Sequence, residues 1–168
     1  MSGFRIFVAV VLISLPGVCY QPPVLTPEEE KESYLIYSTL LEDKGRVEEW
    51  AIVQHTRSVD ICLHPTKEQE SVYGSLFEDY ARKNQKGFAL GPYFKVPAYS
   101  MVSPEEWTRS SRSRSFAAFS VVGFNKDRTR AAVCVWTGSS GTCHVLIKKD
   151  DIWQIDKNWR GDGCGWAA

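Results

Sequence analysis

The stretch CVWTGSSGTCHV, residues 134–145, sets two cysteines on either side of a glycine-flanked turn. A two-residue turn at 138–139, with glycine in its first position, brings Cys134 opposite Cys143. This register makes the cysteines a non-hydrogen-bonded pair with Cα atoms about 4.5 Å apart, which a disulfide can bridge. A turn at 139–140 would offset the two cysteines instead. We favour the first register, which predicts a β-hairpin held by a Cys134–Cys143 disulfide.

The same residues suggest two kinds of catalytic site, but they do not meet the structural requirements of either. A serine nucleophile elbow needs G-x-S-x-G at a strand-to-helix turn. The serines here miss that spacing, and the following run, TCHVLIKK, predicts a strand. A cysteine nucleophile paired with His144 needs a free, activated thiol. We therefore assign no catalytic residue to this turn.

The first residues have the pattern of a secretory signal peptide. Arg5 precedes an apolar run, residues 6–15, that a Pro-Gly pair interrupts. The run is too short for a transmembrane helix, which takes about 20 residues. Cleavage after Cys19 fits the preference for small residues at the cut, which predicts a signal peptide over 1–19 and one exported domain over 20–168. Lipid anchoring through Cys19 is an alternative localisation, and an uncleaved anchor is a third.

Export favours disulfides over free thiols. The cysteines that follow the leader are Cys62, Cys134, Cys143 and Cys164, and four cysteines allow three pairings. The hairpin pair leaves Cys62 to bond Cys164. Structural zinc sites show C-x-x-C or H-x-x-x-H spacings, which this chain lacks. We therefore expect no metal and no cofactor.

Charge and length restrict the partners and the domain count. The chain has 20 Lys and Arg against 20 Asp and Glu, and the leader removes only Arg5. A nearly neutral chain predicts no nucleic-acid partner and no anionic membrane surface. The remaining length suits one domain with its own core. We expect a monomer with no integral membrane segment once the signal peptide is removed.

Three helix starts share a capping box, a hydroxyl residue followed three positions later by Glu or Gln. The boxes are Thr26 with Glu29, Thr66 with Gln69, and Ser103 with Glu106. They predict helices over 27–43 and 67–84, and a shorter helix around Trp107. Apolar spacing in both longer segments indicates one buried face for each.

The periodicity changes to two in the other segments, which indicates strands. Strands are predicted at 47–56, 115–124, 129–137, 142–149 and 152–159, with proline-containing edge pieces at 88–94 and 96–102. Helices that precede a run of hairpins predict an α+β fold, with N-terminal helices packed on one side of a C-terminal antiparallel β-meander. No parallel βαβ unit is indicated.

The runs at 119–136 and 141–155 resemble the C-terminal end of a family of small uncharacterised bacterial proteins that are exported or lipid-anchored. The family pattern has a Gly-Phe-Asn, an Ala-Leu-Val-Tyr-Val strand, a glycine turn, a Leu-Leu strand and a tryptophan. Earlier runs, including ESYLIYSTLLE and YSMVSPEEW, stand in the family's order. The resemblance implies an exported α+β domain and transfers no functional residue. Val122 and Ile152 depart from the pattern, and Cys134 and Cys143 are additions.

The Gly-Phe-Asn run is interpreted as the end of a strand and the turn that follows it, with Asn125 able to adopt positive φ. Two polar motifs lie elsewhere in the chain. The arginines in RSSRSRS are interpreted as part of a solvated connector, and the RGD tripeptide at 160–162 is interpreted as an ordinary turn. The carboxylates lie mostly in helix starts, where capping explains them. None of these motifs assigns an activity.

Two functions remain, and we favour the first. It is an exported non-catalytic domain that binds a protein or small ligand of the cell envelope or extracellular medium. Its surface would be the sheet or the aromatic edges, which contain Trp107, Trp136, Trp153 and Trp159. The alternative is an extracytoplasmic hydrolase that uses His55, His144 or an acid. A histidine within hydrogen-bond reach of a carboxylate in a concave pocket would favour the hydrolase.

Overall fold

The computed structural model describes residues 25–44, 49–57, 63, 66–110, 115–137 and 140–159. These residues form three helices, α1 (Pro27–Asp43), α2 (Lys67–Lys83) and α3 (Pro104–Ser110). They also form seven strands, β1 (Trp50–Val53), β2 (Tyr99–Val102), β3 (Ser115–Phe119), β4 (Gly123–Phe124), β5 (Arg130–Thr137), β6 (Ser140–Lys149) and β7 (Ile152–Ile155). No helix in these ranges is long and apolar enough to cross a membrane. The predicted signal peptide, residues 1–19, lies outside the described residues.

Both long helices begin where the capping boxes predict. At α1, the Thr26 hydroxyl accepts a hydrogen bond from the backbone N–H of Glu29 at 3.2 Å, and the Glu29 carboxylate accepts one from the N–H of Thr26 at 2.9 Å. Thr66 and Gln69 make the same exchange at α2. Each box satisfies N–H groups that have no partner inside the helix. α1 matches its predicted bounds, and α2 ends one residue earlier than predicted.

The strands form one mixed sheet in the order β2-β1-β3-β5-β6-β7, with β4 paired to β5. Antiparallel pairing joins β3 to β5, β5 to β6 and β6 to β7, which confirms the predicted meander. The predicted strand 115–124 divides into β3 and β4. β2 lies at the edge of the sheet, as Pro97 just before it indicated, whereas the segment 88–94 contributes an isolated bridge between His55 and Ala89.

The sheet differs from the prediction at β1, which runs parallel to both β2 and β3. Parallel neighbours need a crossover of about a dozen residues or more, and the segment between β1 and β2 contains α2. The expectation that the fold has no parallel βαβ unit was therefore wrong. Each of these two strands has four residues, which is too short for the sequence pattern to indicate their relative direction.

The two long helices lie on opposite faces of the sheet. Side chains alternate between the faces along a strand. α1 shares a hydrophobic cluster with Val133 and Val135 of β5, whereas α2 shares one with Ala132 and Cys134. The α+β class is confirmed, but the helices do not share one side as predicted. A strand that is buried at every position, as β5 is over 131–135, needs cover on both faces.

The hairpin of β5 and β6 has the predicted register. Cys134 faces Cys143 with a Cα–Cα distance of 3.9 Å, and their sulfur atoms lie at disulfide-bonding distance. Cys134 is buried between the strands and α2, where its sulfur accepts a hydrogen bond from the Tyr80 hydroxyl at 3.2 Å. The turn at 138–139 lies outside the described residues. So do Cys62 and Cys164, whose pairing stays a prediction.

Loss of the Cys134–Cys143 disulfide should lower the stability of the protein measurably. We expect Cys134→Ala/Cys143→Ala to lower the free energy of unfolding by about 2–3 kcal/mol, because the bond closes a short loop in the unfolded chain. Urea denaturation of the oxidised proteins measures the loss. Thr142→Ala is the matched control, since Thr142 is an exposed residue of the same strand. A double variant as stable as this control would show that the bond does not restrict the unfolded chain.

Candidate functional site

A buried lysine occupies the last turn of α2. The Lys83 side chain is 1% exposed, and its Nζ lies 2.7 Å from Glu29 Oε1 and 2.8 Å from Asp79 Oδ2. The ammonium group also lies 5.0 Å from the centroid of the Phe124 ring. Lysine is almost never fully buried unless it is paired. The two carboxylates supply that pairing, and they join the start of α1 to the end of α2.

Asp79 is the hub of this charged cluster. Its Oδ2 accepts the backbone N–H of Phe124 at 2.8 Å, and its Oδ1 pairs with Arg82. Burial alone would raise the pKa of Asp79, but hydrogen bonds from Lys83, Phe124 and Arg82 outweigh burial and hold that pKa below its usual value. Asp79 is therefore ionised at neutral pH, and it ties β4 to α2.

A stiff turn follows β4. The Asn125 side-chain oxygen accepts the backbone N–H groups of Thr129 at 2.9 Å and Arg130 at 2.8 Å. The turn places Arg128 at a φ of 52°, in the left-handed region. The sequence indicated Asn125 as a residue able to adopt positive φ, whereas Arg128 is the residue of this turn that adopts it. Asn125 instead acts through its side chain, as asparagine does in turns, and fixes the backbone that carries Lys126 and Arg128.

A pocket of about 530 Å³ lies between the start of α1, the middle of α2 and this turn. Glu29, Asp79 and Phe124 line it together with polar groups that include Ser75. Its free charges stand on opposing elements: Glu28 on α1, and Lys126 and Arg128 on the turn. Within the described part of the chain, no salt bridge neutralises any of these three.

The two histidines of the hydrolase hypothesis lie apart from this pocket. His144 faces Val133 on the α1 side of the sheet, and its buried Nε2 has no hydrogen-bond partner in the described part of the chain. Burial lowers the pKa of His144, and Lys44 adds a smaller effect in the same direction, so the imidazole is neutral at pH 7. His55 is exposed beside its bridge to Ala89. Among the described residues, no ion pair joins either histidine to a carboxylate.

The predicted binding tryptophans separate into different environments. Trp153 is 3% exposed and donates its indole N–H to Glu32 at 2.7 Å, so it belongs to the core. Trp159 packs on the rings of Tyr73 and Phe77, where its indole nitrogen is buried and has no hydrogen-bond partner among the described residues. Trp107 and Trp136 are half-buried beside a third cluster of apolar residues on the α2 side of the sheet.

The sequence did not identify the charged cluster. Glu29 was explained by its capping box, and Lys83 lies 54 positions away from it. One feature of the sequence could have indicated this cluster. The apolar stripe of α2 includes Leu76 and Tyr80, and Lys83 continues it at helical spacing. A lysine on the buried face of a helix requires a carboxylate partner. Within the described ranges, no group of three or more His, Cys, Asp or Glu side chains could hold a metal ion.

Comparisons with protein-family models, with curated proteins and with solved structures found no match. The resemblance to exported bacterial proteins therefore stays a prediction.

Proposed function

We propose that this protein is an exported, non-catalytic domain that binds a small ligand of the cell envelope or extracellular medium in the pocket between α1, α2 and residues 125–128. The observation that carries the proposal is the placement of unpaired charges of opposite sign on opposing elements of the pocket. Export is supported by the apolar leader and by two cysteines at disulfide-bonding distance, which suit an oxidising compartment.

The charges favour a dipolar ligand. Glu28 can accept hydrogen bonds from an ammonium group, and Lys126 and Arg128 can donate to a carboxylate. Glu29 and Asp79 carry charge as well, but Lys83 and Arg82 already pair with them. A free amino acid or a short peptide carries both of the required groups, so we assign the pocket to this class.

Rigidity supports binding at this place. Lys83 pairs with Glu29 and Asp79, which line the pocket, and Asn125 fixes the turn that carries the two cations. A preformed site loses less conformational entropy when a ligand binds. The Phe124 ring adds an apolar contact, and the exposed Ser75 adds a hydroxyl group.

Calorimetry with the dipeptide alanyl-alanine tests the proposal. We expect saturable binding, and we expect that N-acetylation or C-amidation of the dipeptide weakens it about tenfold, which corresponds to about 1.4 kcal/mol. Lys126→Ala/Arg128→Ala should weaken it by at least as much, because the carboxylate loses its partners. Lys149→Ala/Lys157→Ala is the matched control, since it removes two exposed cations away from the pocket.

Three results would contradict the proposal. The first is no binding of the dipeptide by the purified mature domain. The second is equal binding of the dipeptide and its two blocked forms, because the charged walls would then contribute nothing. The third is cleavage of the dipeptide during incubation, which would favour the hydrolase alternative.

A further inference from the structure

An arginine beyond the pocket contacts two tryptophan rings. Arg57 follows β1, and its guanidinium carbon lies 4.2 Å from the centroid of the Trp107 ring and 6.0 Å from that of the Trp136 ring. Both distances are within the range of cation–π attraction. The rings come from α3 and β5, so three separate parts of the fold meet at this side chain. We call this group the Arg57 cluster.

The backbone of Arg57 is held in place. Its N–H donates to the carbonyl oxygen of Phe119 at 2.8 Å. The preceding residue, Thr56, donates its N–H to the carbonyl oxygen of Phe88 at 2.9 Å, and its hydroxyl accepts the N–H of Phe88 at 2.8 Å. These bonds fix where the side chain starts, and the two rings restrict where it goes. The guanidinium is therefore preorganised.

The charge of Arg57 has no counterion among the residues that the structure describes. No carboxylate of the described residues lies within salt-bridge distance of its guanidinium. Burial lowers the pKa of Arg57 from its usual value, but arginine stays protonated in proteins. The residue is still exposed to solvent. A fixed, partly dehydrated and unpaired cation that solvent can reach is suited to bind an anion.

We propose that the Arg57 cluster is a second binding site, separate from the pocket, and that it takes an oxyanion group, either a carboxylate or a phosphate. Aromatic contact engages the face of a guanidinium, whereas its N–H donors lie in the plane and stay free for oxygen acceptors. Two of these donors match the spacing of two oxygens on a carboxylate or phosphate. The two rings hold the donors in place before the anion arrives.

Nuclear magnetic resonance of the side chains tests this site directly. The mature domain is titrated with sodium phosphate and, separately, with sodium acetate at constant ionic strength. We expect saturable shifts of the Arg57 Nε–H signal and of the indole N–H signals of Trp107 and Trp136. The anion that saturates at the lower concentration identifies the group as phosphate or carboxylate.

Variants distinguish binding at a specific site from general electrostatic attraction of the anion. Arg57→Ala should abolish the saturable indole shifts, and Arg57→Lys should weaken binding about tenfold because an ammonium cannot make the two-donor contact. Arg109→Ala is the matched control and should bind as the wild type does, since it removes an exposed arginine of α3. Circular dichroism checks folding, and if Arg57→Ala is unfolded, Arg57→Lys decides the question.

Two results would overturn the proposal. Shifts that stay linear with both anions would show no site, and an equal loss in Arg109→Ala would show general attraction. The same titration of Lys126→Ala/Arg128→Ala separates the two proposals. Shifts at the Arg57 cluster should survive in that variant even if the pocket binds no dipeptide, and their loss there would place the anion in the pocket.

Discussion

Lys83→Met is expected to lower the free energy of unfolding by about 3–5 kcal/mol, the usual cost of breaking a buried ion pair by removing one partner. The ammonium of Lys83 holds Glu29 and Asp79 within 2.8 Å. Methionine fills a similar volume but leaves both carboxylates without their shared cation. Urea denaturation at neutral pH measures the effect, with circular dichroism to confirm that the variant folds.

Neutralising the whole cluster is the matched control. Glu29→Gln/Asp79→Asn/Lys83→Met should recover most of the lost stability, because the penalty comes from uncompensated charge rather than from the missing lysine. A single variant as stable as the wild type would show that the carboxylates do not depend on Lys83. A triple variant as unstable as the single one would assign the loss to packing.

Acidic pH should weaken the stabilising contribution of the cluster formed by Glu29, Asp79 and Lys83. The pKa of Asp79 is lower in the folded protein than in the unfolded chain. Its contribution to stability is therefore present above the unfolded pKa of about 3.9 and is lost as pH falls from there through the folded pKa. The wild type should lose this contribution in acid, and Lys83→Met should show a shallower loss because one of the bonds that lower this pKa is gone.

Gly123→Ala is expected to cost about 3–4 kcal/mol, because α2 and β4 touch at this glycine. A Cβ at Gly123 would lie 2.5 Å from the Cα and Cβ of Tyr80 and 2.6 Å from its backbone nitrogen. These are main-chain and near-main-chain atoms, so relief requires α2 to move away from the sheet. The helix carries Asp79 and Lys83, and such a movement would also loosen the pocket. Chemical denaturation measures the loss.

Gly74→Ala is the control for this substitution. Gly74 lies in the same helix, and its added Cβ would meet the Glu70 side chain at an ordinary 3.7 Å. Alanine is the better helix former by about 1 kcal/mol, so this variant should be slightly more stable than the wild type. Equal stability of Gly123→Ala and Gly74→Ala would contradict the close approach of α2 to β4.

Local chemistry made much of the fold predictable. The capping boxes of Thr26 and Thr66 involve neighbours in sequence, so they located both helix starts. Counting from the turn gave the register of Cys134 and Cys143, since the strands of a short hairpin are joined directly. Gly123 was assigned to turn chemistry, and its contact with Tyr80 could not be read from its neighbours.

Long-range pairings were not predictable in the same way. β1 and β2 pair in parallel across a segment that contains a whole helix, and no residue pattern within four-residue strands specifies that choice. The charged pocket was not predictable for the same reason, because Glu29 and Lys83 meet only after both helices pack on the sheet. Trp107 and Trp136 were named as binding residues from their side-chain chemistry alone, and the fold supplied Arg57 beside them.

The most direct test of the proposed function is a ¹⁵N–¹H correlation spectrum of the protein titrated with alanyl-alanine. The account predicts saturable shifts concentrated at residues 26–29, 75–79 and 124–128, which surround the pocket. Shifts that are absent, or that concentrate instead around His144, which does not line the pocket, would contradict it.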